Sequence, residues 1–205
     1  MLKIENVKLH GWEGAVRGMR NPMNSWDKSD SIFGDDSGVI LGPNDLRLAK
    51  TLSHAGPDHG KVLRFISVVM DINAPLYWWK EFDTYKVGTV ANSCSTMHKI
   101  HAKPFSMDDF SHDHLNPFFL RSLMDTVEHL NLARDNFLST SDKDYWWQMI
   151  QLLPSSYNQI RTVSLNYAVL KAMYHARKNH KLDEWHVFCD WIETLPYAKE
   201  LIIGD

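Results

Sequence analysis

Apolar and polar positions divide the chain into an extended start, an irregular stretch, a mixed centre and a helical second half. Leu2, Ile4, Val7 and Leu9 are the apolar positions of a near-alternating start, which predicts a strand over residues 1–10. Residues 11–38 hold five glycines and Pro22, with Asp35 and Asp36 turn-like, and read as irregular. Pro43, Asn44 and Asp45 look like a helix start, and Leu46, Leu48, Ala49 and Leu52 carry that helix to Gly56. A loop, HAGPDHG, leads on to residues 65–72, rich in Ile and Val and apolar apart from Ser67 and Asp71. That pattern predicts a buried strand. Asn73, Ala74 and Pro75 are expected to break it, since proline suits the first turn of a helix. The helix predicted over 76–83 carries Tyr77, Trp78, Trp79 and Phe82.

The second half reads as helices. One spans 116–138, opened by Pro117, with Phe119, Leu120, Leu123, Val127, Leu130 and Phe137 on its apolar side. Ser141 and Asp142 cap a second over 145–153, and Pro154 ends it. A third is predicted over 157–179 and a fourth over 181–194, where Trp185, Phe188, Cys189 and Ile192 are the apolar positions. Pro196 closes the fourth, and a short terminal helix follows. No internal repeat, low-complexity tract or long linker interrupts the chain, so one α+β domain over 1–205 is expected.

Composition narrows the function. A formal charge of −3 over 205 residues argues against a general binder of polymeric nucleic acid or of membrane surfaces. Aromatics at 12%, with eight tryptophans, suit a well-packed core. Two cysteines, Cys94 and Cys189, are too few for a disulfide framework. No apolar run reaches a membrane-spanning length, and the start lacks a signal-peptide pattern. A soluble cytoplasmic protein is the expectation.

Candidate chemistry concentrates in residues 85–98, with Gly88, Asn92 and the run Ser93-Cys94-Ser95-Thr96. Such a segment between apolar elements can satisfy a polar ligand, or it can hydrogen-bond to itself. Arg17 and Arg20 could reach an anion; solvated loop arginines are the plainer reading. His98 with His101, and His112 with His114, lack the i, i+4 pairing of a helical metal motif, so no metal site is expected. Cys94, with His98 four residues on, is either an activated nucleophile or a small buried packing residue, and the second is expected. Arg177 can grip a phosphate or, with Lys178, His180 and Lys181, complement a helix C-terminus.

The order strand, Ala74-Pro75, aromatic helix and polar signature resembles the flavin-dependent thymidylate synthases. Their signature reads Arg-His-Arg-x-x-Ser-x-Asn-x-x-Ser-x-Arg. Counted from Ala74-Pro75, its Arg-His-Arg falls on Thr84, Tyr85 and Lys86, and its first serine on Thr89. One inserted residue brings its asparagine onto Asn92 and its later serine onto Ser95, while its last arginine falls on Met97. Leu153-Pro154, Asn166 and Arg177 keep the family's C-terminal spacing, and Glu184 echoes its glutamate. The family's Asn-Ala-Arg reads Asn166-Tyr167-Ala168, Ile150 stands at the register of the arginine before Leu-Pro, and Phe65 replaces a flavin-contacting histidine. The resemblance covers about residues 43–200.

It implies a small antiparallel sheet packed with several long helices, and a protein acting on dUMP or a related pyrimidine nucleotide. FAD would be the cofactor, with NADPH and methylenetetrahydrofolate as co-substrates. Lys86, Thr89, Asn92, Asn166 and His180 would hold the cofactor. Glu81, Ser93, Ser95 and Arg177 would hold the substrate. The resemblance further implies a homotetramer with sites between subunits. The alternative is a non-catalytic nucleotide binder that kept the fold and lost the flavin chemistry, because the pyrophosphate of FAD would lack the Arg-His-Arg cations.

Overall fold

The computed structural model describes residues 2–34 and 38–204, so Met1 and the turn expected at Asp35 and Asp36 lie outside the described residues. In chain order the elements are β1 (Lys3–His10), α1 (Trp12–Arg20), β2 (Ile32–Phe33), β3 (Val39–Ile40), α2 (Pro43–His54) and α3 (Val62–Phe65). There follow β4 (Ser67–Pro75), α4 (Leu76–Phe82), β5 (Val90–Ser93) and α5 (Thr96–Lys99). The last are α6 (Pro117–Thr140), α7 (Lys143–Leu152), β6 (Asn158–Asn166), α8 (Tyr167–Arg177) and α9 (Asp183–Glu193). A π-helical turn, Lys199–Ile203, ends the described chain.

The fold is α+β, with a small antiparallel sheet and many helices. Its four strands lie in the order β1-β4-β6-β5, and β2 and β3 form a separate antiparallel pair. No helix among the described residues is long and apolar enough to cross a membrane. Two compact units are present, described in turn. Of the described residues, the first comprises 2–3, Ile72–Asp83 and Asn92–Arg161; the second comprises 4–34, 38–71, Thr84–Ala91 and 162–204.

In the first unit, Leu123, Val127, Leu130 and Ala133 of α6 pack with Met149 of α7 and with Ile100, Phe105 and Phe110. The i, i+4 and i, i+3 spacing of those α6 residues makes one apolar stripe. Phe119, expected on that side, is exposed, so the stripe starts at Leu123. Asn116 caps α6, its Oδ1 accepting from the amides of Phe118 (3.1 Å) and Phe119 (3.2 Å). Asn116→Ala is expected to lower unfolding free energy by about 1 kcal/mol, read as a lower denaturant midpoint at unchanged slope. Trp78, Trp79 and Phe82 of α4 are buried, and the Trp79 indole donates to the Gln159 carbonyl at 3.0 Å.

In the second unit, residues 11–38 are not irregular throughout, because α1 occupies 12–20. Trp12, Ala15, Val16 and Met19 form its buried face. The glycines mark close packing: a Cβ on Gly11 (φ +91°) would meet the Phe65 carbonyl oxygen at 2.0 Å, and Gly18 faces the Phe65 ring. Only glycine tolerates both that φ and that approach. Arg20 is neither a solvated arginine nor an anion site. It is buried, and its Nε donates to the fully buried Asp45 at 2.6 Å.

Two further expectations are corrected. Phe65 ends α3, and β4 begins at Ser67 and runs through Pro75; Asn73-Ala74-Pro75 does not break it. Proline is tolerated where a strand ends and no ladder amide is needed. Residues 157–179 do not form one helix. The β-branched Ile160, Thr162 and Val163 favour a strand, and burial of Gln159, Val163 and Leu165 follows its period of two. Asn166 then caps α8, its Oδ1 accepting from the Val169 amide at 3.1 Å.

Candidate functional site

The second unit carries a cleft of about 630 Å³ where the turn holding Tyr85, Lys86 and Gly88 faces the start of α8. Gly88 (φ +78°) makes the turn possible: a Cβ there would stand 3.1 Å from Val169 Cγ2 and 3.3 Å from Asn166 Nδ2. Two cations, Arg64 and Lys86, line the cleft with Asn166, and no carboxylate does among the described residues. The N-terminus of α8 adds its partial positive charge. In the same turn the Thr89 hydroxyl is buried without a hydrogen-bond partner. Two cations and a helix N-terminus suit an anionic ligand rich in acceptors.

Arg177 ends α8. Its Nε donates to the Tyr85 hydroxyl at 3.0 Å, and its guanidinium lies 5.6 Å from the Tyr85 ring centre and 5.1 Å from that of Trp185. The two aromatic faces and the Tyr85 hydroxyl help fix the orientation of the cation. His180 lines a separate hollow with Tyr174, Lys178 and His186, and its Nδ1 accepts from the Leu182 amide at 3.2 Å.

The remaining expected site residues fall in the first unit. Ser95 caps α5 by accepting from the His98 amide at 3.2 Å, and it lines a smaller cavity of about 250 Å³. Asn73, Cys94, Thr96, Lys99, Lys103 and Tyr157 share that cavity. The Asn73 Oδ1 is buried there without a partner. Cys94 is exposed, which corrects its assignment as buried packing. Its backbone is pinned instead, its amide donating to the Ile160 carbonyl and its carbonyl accepting from Gln159 Nε2, each at 3.0 Å. Burial raises the Tyr157 phenol above its ordinary value, and the Asp109 carboxylate adds to the shift. Asn92 and Ser93 are exposed on β5, and Glu81 is half-buried on α4. Among the described residues, no three His, Cys, Asp or Glu side chains are grouped to hold a metal ion.

Sequence reasoning placed Lys86 and Asn166 in the polar site, and the structure brings both to one cleft. It passed over Arg64 and Tyr85. Arg64 was hidden because α3 read as the edge of a strand, and Tyr85 because a tyrosine in a loop carries no local signal of what it holds.

No protein-family model and no curated protein matches the chain. Solved structures do. Thymidylate synthase X (ThyX) from Helicobacter pylori, in crystals with FAD and dUMP, matches 98% of this chain and 97% of its own at a TM-score of 0.72 and 16% identity. The chain has the flavin-dependent thymidylate synthase fold. The UMP/dUMP methylase PolB from Streptomyces cacaoi, bound with 5-Br dUMP, matches 100% of this chain and 94% of its own at a TM-score of 0.64 and 12% identity. The thymidylate synthase resemblance read over residues 43–200 is therefore borne out as fold, and the match in three dimensions extends to the N-terminal segment as well. Thr84 and Tyr85 precede Lys86 in the cleft turn, and the other cation lining the cleft is Arg64 on α3.

Proposed function

We propose that the chain is a flavin-dependent enzyme acting on dUMP or a related pyrimidine nucleotide, working as a cytoplasmic homotetramer. The observation that supports this reading is the carboxylate-free cleft of the second unit, with Arg64, Lys86 and the α8 N-terminus around the Gly88 turn. In that reading Arg64, Lys86 and the first turn of α8 hold the diphosphate of FAD, and Thr89 and Asn166 add hydrogen bonds. Asn92 and His180 are assigned to the cofactor as well. Glu81, Ser93 and Ser95 are assigned to the nucleotide base and sugar, and Arg177 to its phosphate. When bound, the flavin supplies a hydride, with NADPH as its reductant and methylenetetrahydrofolate as the carbon donor.

The role of this chain's own groups is to bind and orient. A guanidinium already held against Tyr85 and Trp185 loses little freedom when it meets a phosphate. Arg177→Ala is expected to weaken dUMP binding by about tenfold, measured by calorimetric titration; an unchanged affinity removes Arg177 from the site.

A second reading, a nucleotide binder without flavin chemistry, is favoured by one observation. Thr84 and Tyr85 stand where the family has two cations, and Tyr85 is engaged with Arg177. A turnover assay separates the two. Formation of a C5-methylated pyrimidine nucleotide from dUMP, FAD, NADPH and methylenetetrahydrofolate supports the enzyme. Saturable dUMP binding with no product under the same conditions supports the binder.

A further inference from the structure

Past Arg64 the cleft of the second unit continues into another compartment, of about 540 Å³, which shares Arg64, Ala168 and Ala172 with it. Gly56, Pro57 and Gly60 leave one side of this compartment open and nearly free of side chains. The groups that face it are His54, Arg64, Lys171 and His175, and no carboxylate lines it among the described residues.

Lys171 is the centre of this cluster. It is half-buried, and its ammonium donates to the Ser53 carbonyl (2.9 Å), to Nδ1 of His54 (3.2 Å) and to the Leu201 carbonyl (3.4 Å). With Nδ1 accepting, His54 carries its proton on Nε2 and donates to the Glu200 carbonyl at 2.9 Å. His175 Nε2 donates to the Ile202 carbonyl, also at 2.9 Å. Every one of these acceptors is neutral, so the contacts satisfy the donors without balancing the charge. Burial lowers the Lys171 pKa, with no opposing carboxylate. A desolvated cation in this position is stabilised by an anion beside it.

We infer that this compartment binds a multivalent oxyanion, the phosphate or carboxylate end of a small ligand separate from the flavin, held by Lys171 and Arg64 with His175 beside them. The long hydrogen bond to Leu201 is the one such a ligand replaces. The site adjoins the proposed cofactor cleft and shares Arg64 with it, but Lys171 and His175 line this compartment alone, so their variants test it separately from flavin binding.

The test is calorimetric titration of the full, FAD-free chain with inorganic pyrophosphate and with citrate at fixed ionic strength. Saturable binding of at least one probe is expected, weakened at least about tenfold by Lys171→Gln. Preference for pyrophosphate identifies a phosphate ligand, and preference for citrate a carboxylate. If Lys171→Gln lowers the melting temperature enough to blur the result, His175→Gln serves instead, with a loss of at least about threefold expected. The inference is overturned if neither probe saturates. It is also overturned if the variants bind as the wild type does, including the case where only Lys86→Gln loses the anion, which places it in the neighbouring cleft. Failure of FAD to bind leaves these titrations unaffected.

Discussion

Asp45→Ala is expected to destabilise the protein by about 3–5 kcal/mol, a large share of the stability of an ordinary domain. Asp45 is fully buried in α2 and accepts from Arg20 Nε at 2.6 Å. Its other oxygen accepts from the hydroxyls of Ser29 (2.8 Å) and Ser31 (2.6 Å) and from the amides of Asp30 (3.0 Å) and Ser31 (3.1 Å). The carboxylate therefore organises the 29–31 loop as well as pairing with α1. Removing it leaves the Arg20 guanidinium buried without its counter-charge and strips the loop of its shared acceptor, and the stranded charge dominates the cost. Burial alone would raise the Asp45 pKa, but the hydrogen bonds from Ser31, Ser29, Arg20 and the Asp30 amide outweigh it, and the carboxyl sits below its ordinary value. A group whose folded pKa is depressed contributes stability above its unfolded pKa of about 3.9, and that contribution fades as pH falls from there through the lower folded value. Chemical denaturation of the wild type should thus show a steep loss of stability below about pH 4. Asp45→Asn should be less stable at neutral pH and flatter through that acid window. A variant as stable as the wild type at pH 7 would contradict the account of α1 and α2.

The second large effect concerns function. The double substitution Arg64→Gln, Lys86→Gln is expected to weaken FAD binding by about a hundredfold, roughly tenfold for each charge-assisted hydrogen bond removed. Both side chains are exposed, so the effect should shrink as salt is raised, because screening weakens the wild-type interactions first. The same exposure means the melting temperature should stay near that of the wild type. That separates removal of a binding charge from damage to the fold. Glutamine keeps much of the length and the hydrogen-bonding capacity of each position, leaving charge as the main variable. FAD affinity unchanged in the double variant would remove the cleft as the diphosphate site.

Much of the fold was legible because helices announce themselves locally. Pro117 after Asn116, Asp142 before α7 and Pro43 opening α2 each carry a capping or first-turn signal, and each element lies where that signal put it. The failures share a physical cause, tertiary packing overriding a local pattern. Gly11, Gly14 and Gly18 read as loop punctuation, yet they let α1 approach Phe65. Residues 157–179 read as one helix, yet pairing with the neighbouring strands selects a period of two over Asn158–Asn166. The candidate site was half legible. Asn166 and Lys86 could be placed by spacing against a known layout. Arg64 could not, since its contribution depends on where α3 brings it and no motif marks it. Cys94 misled because a cysteine between serines resembles a small buried residue, whereas the backbone bonds to Ile160 and Gln159 hold it at a cavity edge.

The central claim is that this fold, with its altered cations, still binds flavin. The most direct test is the visible spectrum of the purified protein during titration with FAD, with dUMP present. The account predicts a saturable change in the flavin bands with the stoichiometry of one FAD per chain, shifted to about a hundredfold higher FAD in the Arg64→Gln, Lys86→Gln variant. A spectrum that remains that of free FAD at every ratio, in protein that binds dUMP, would contradict it and leave the fold as a nucleotide binder.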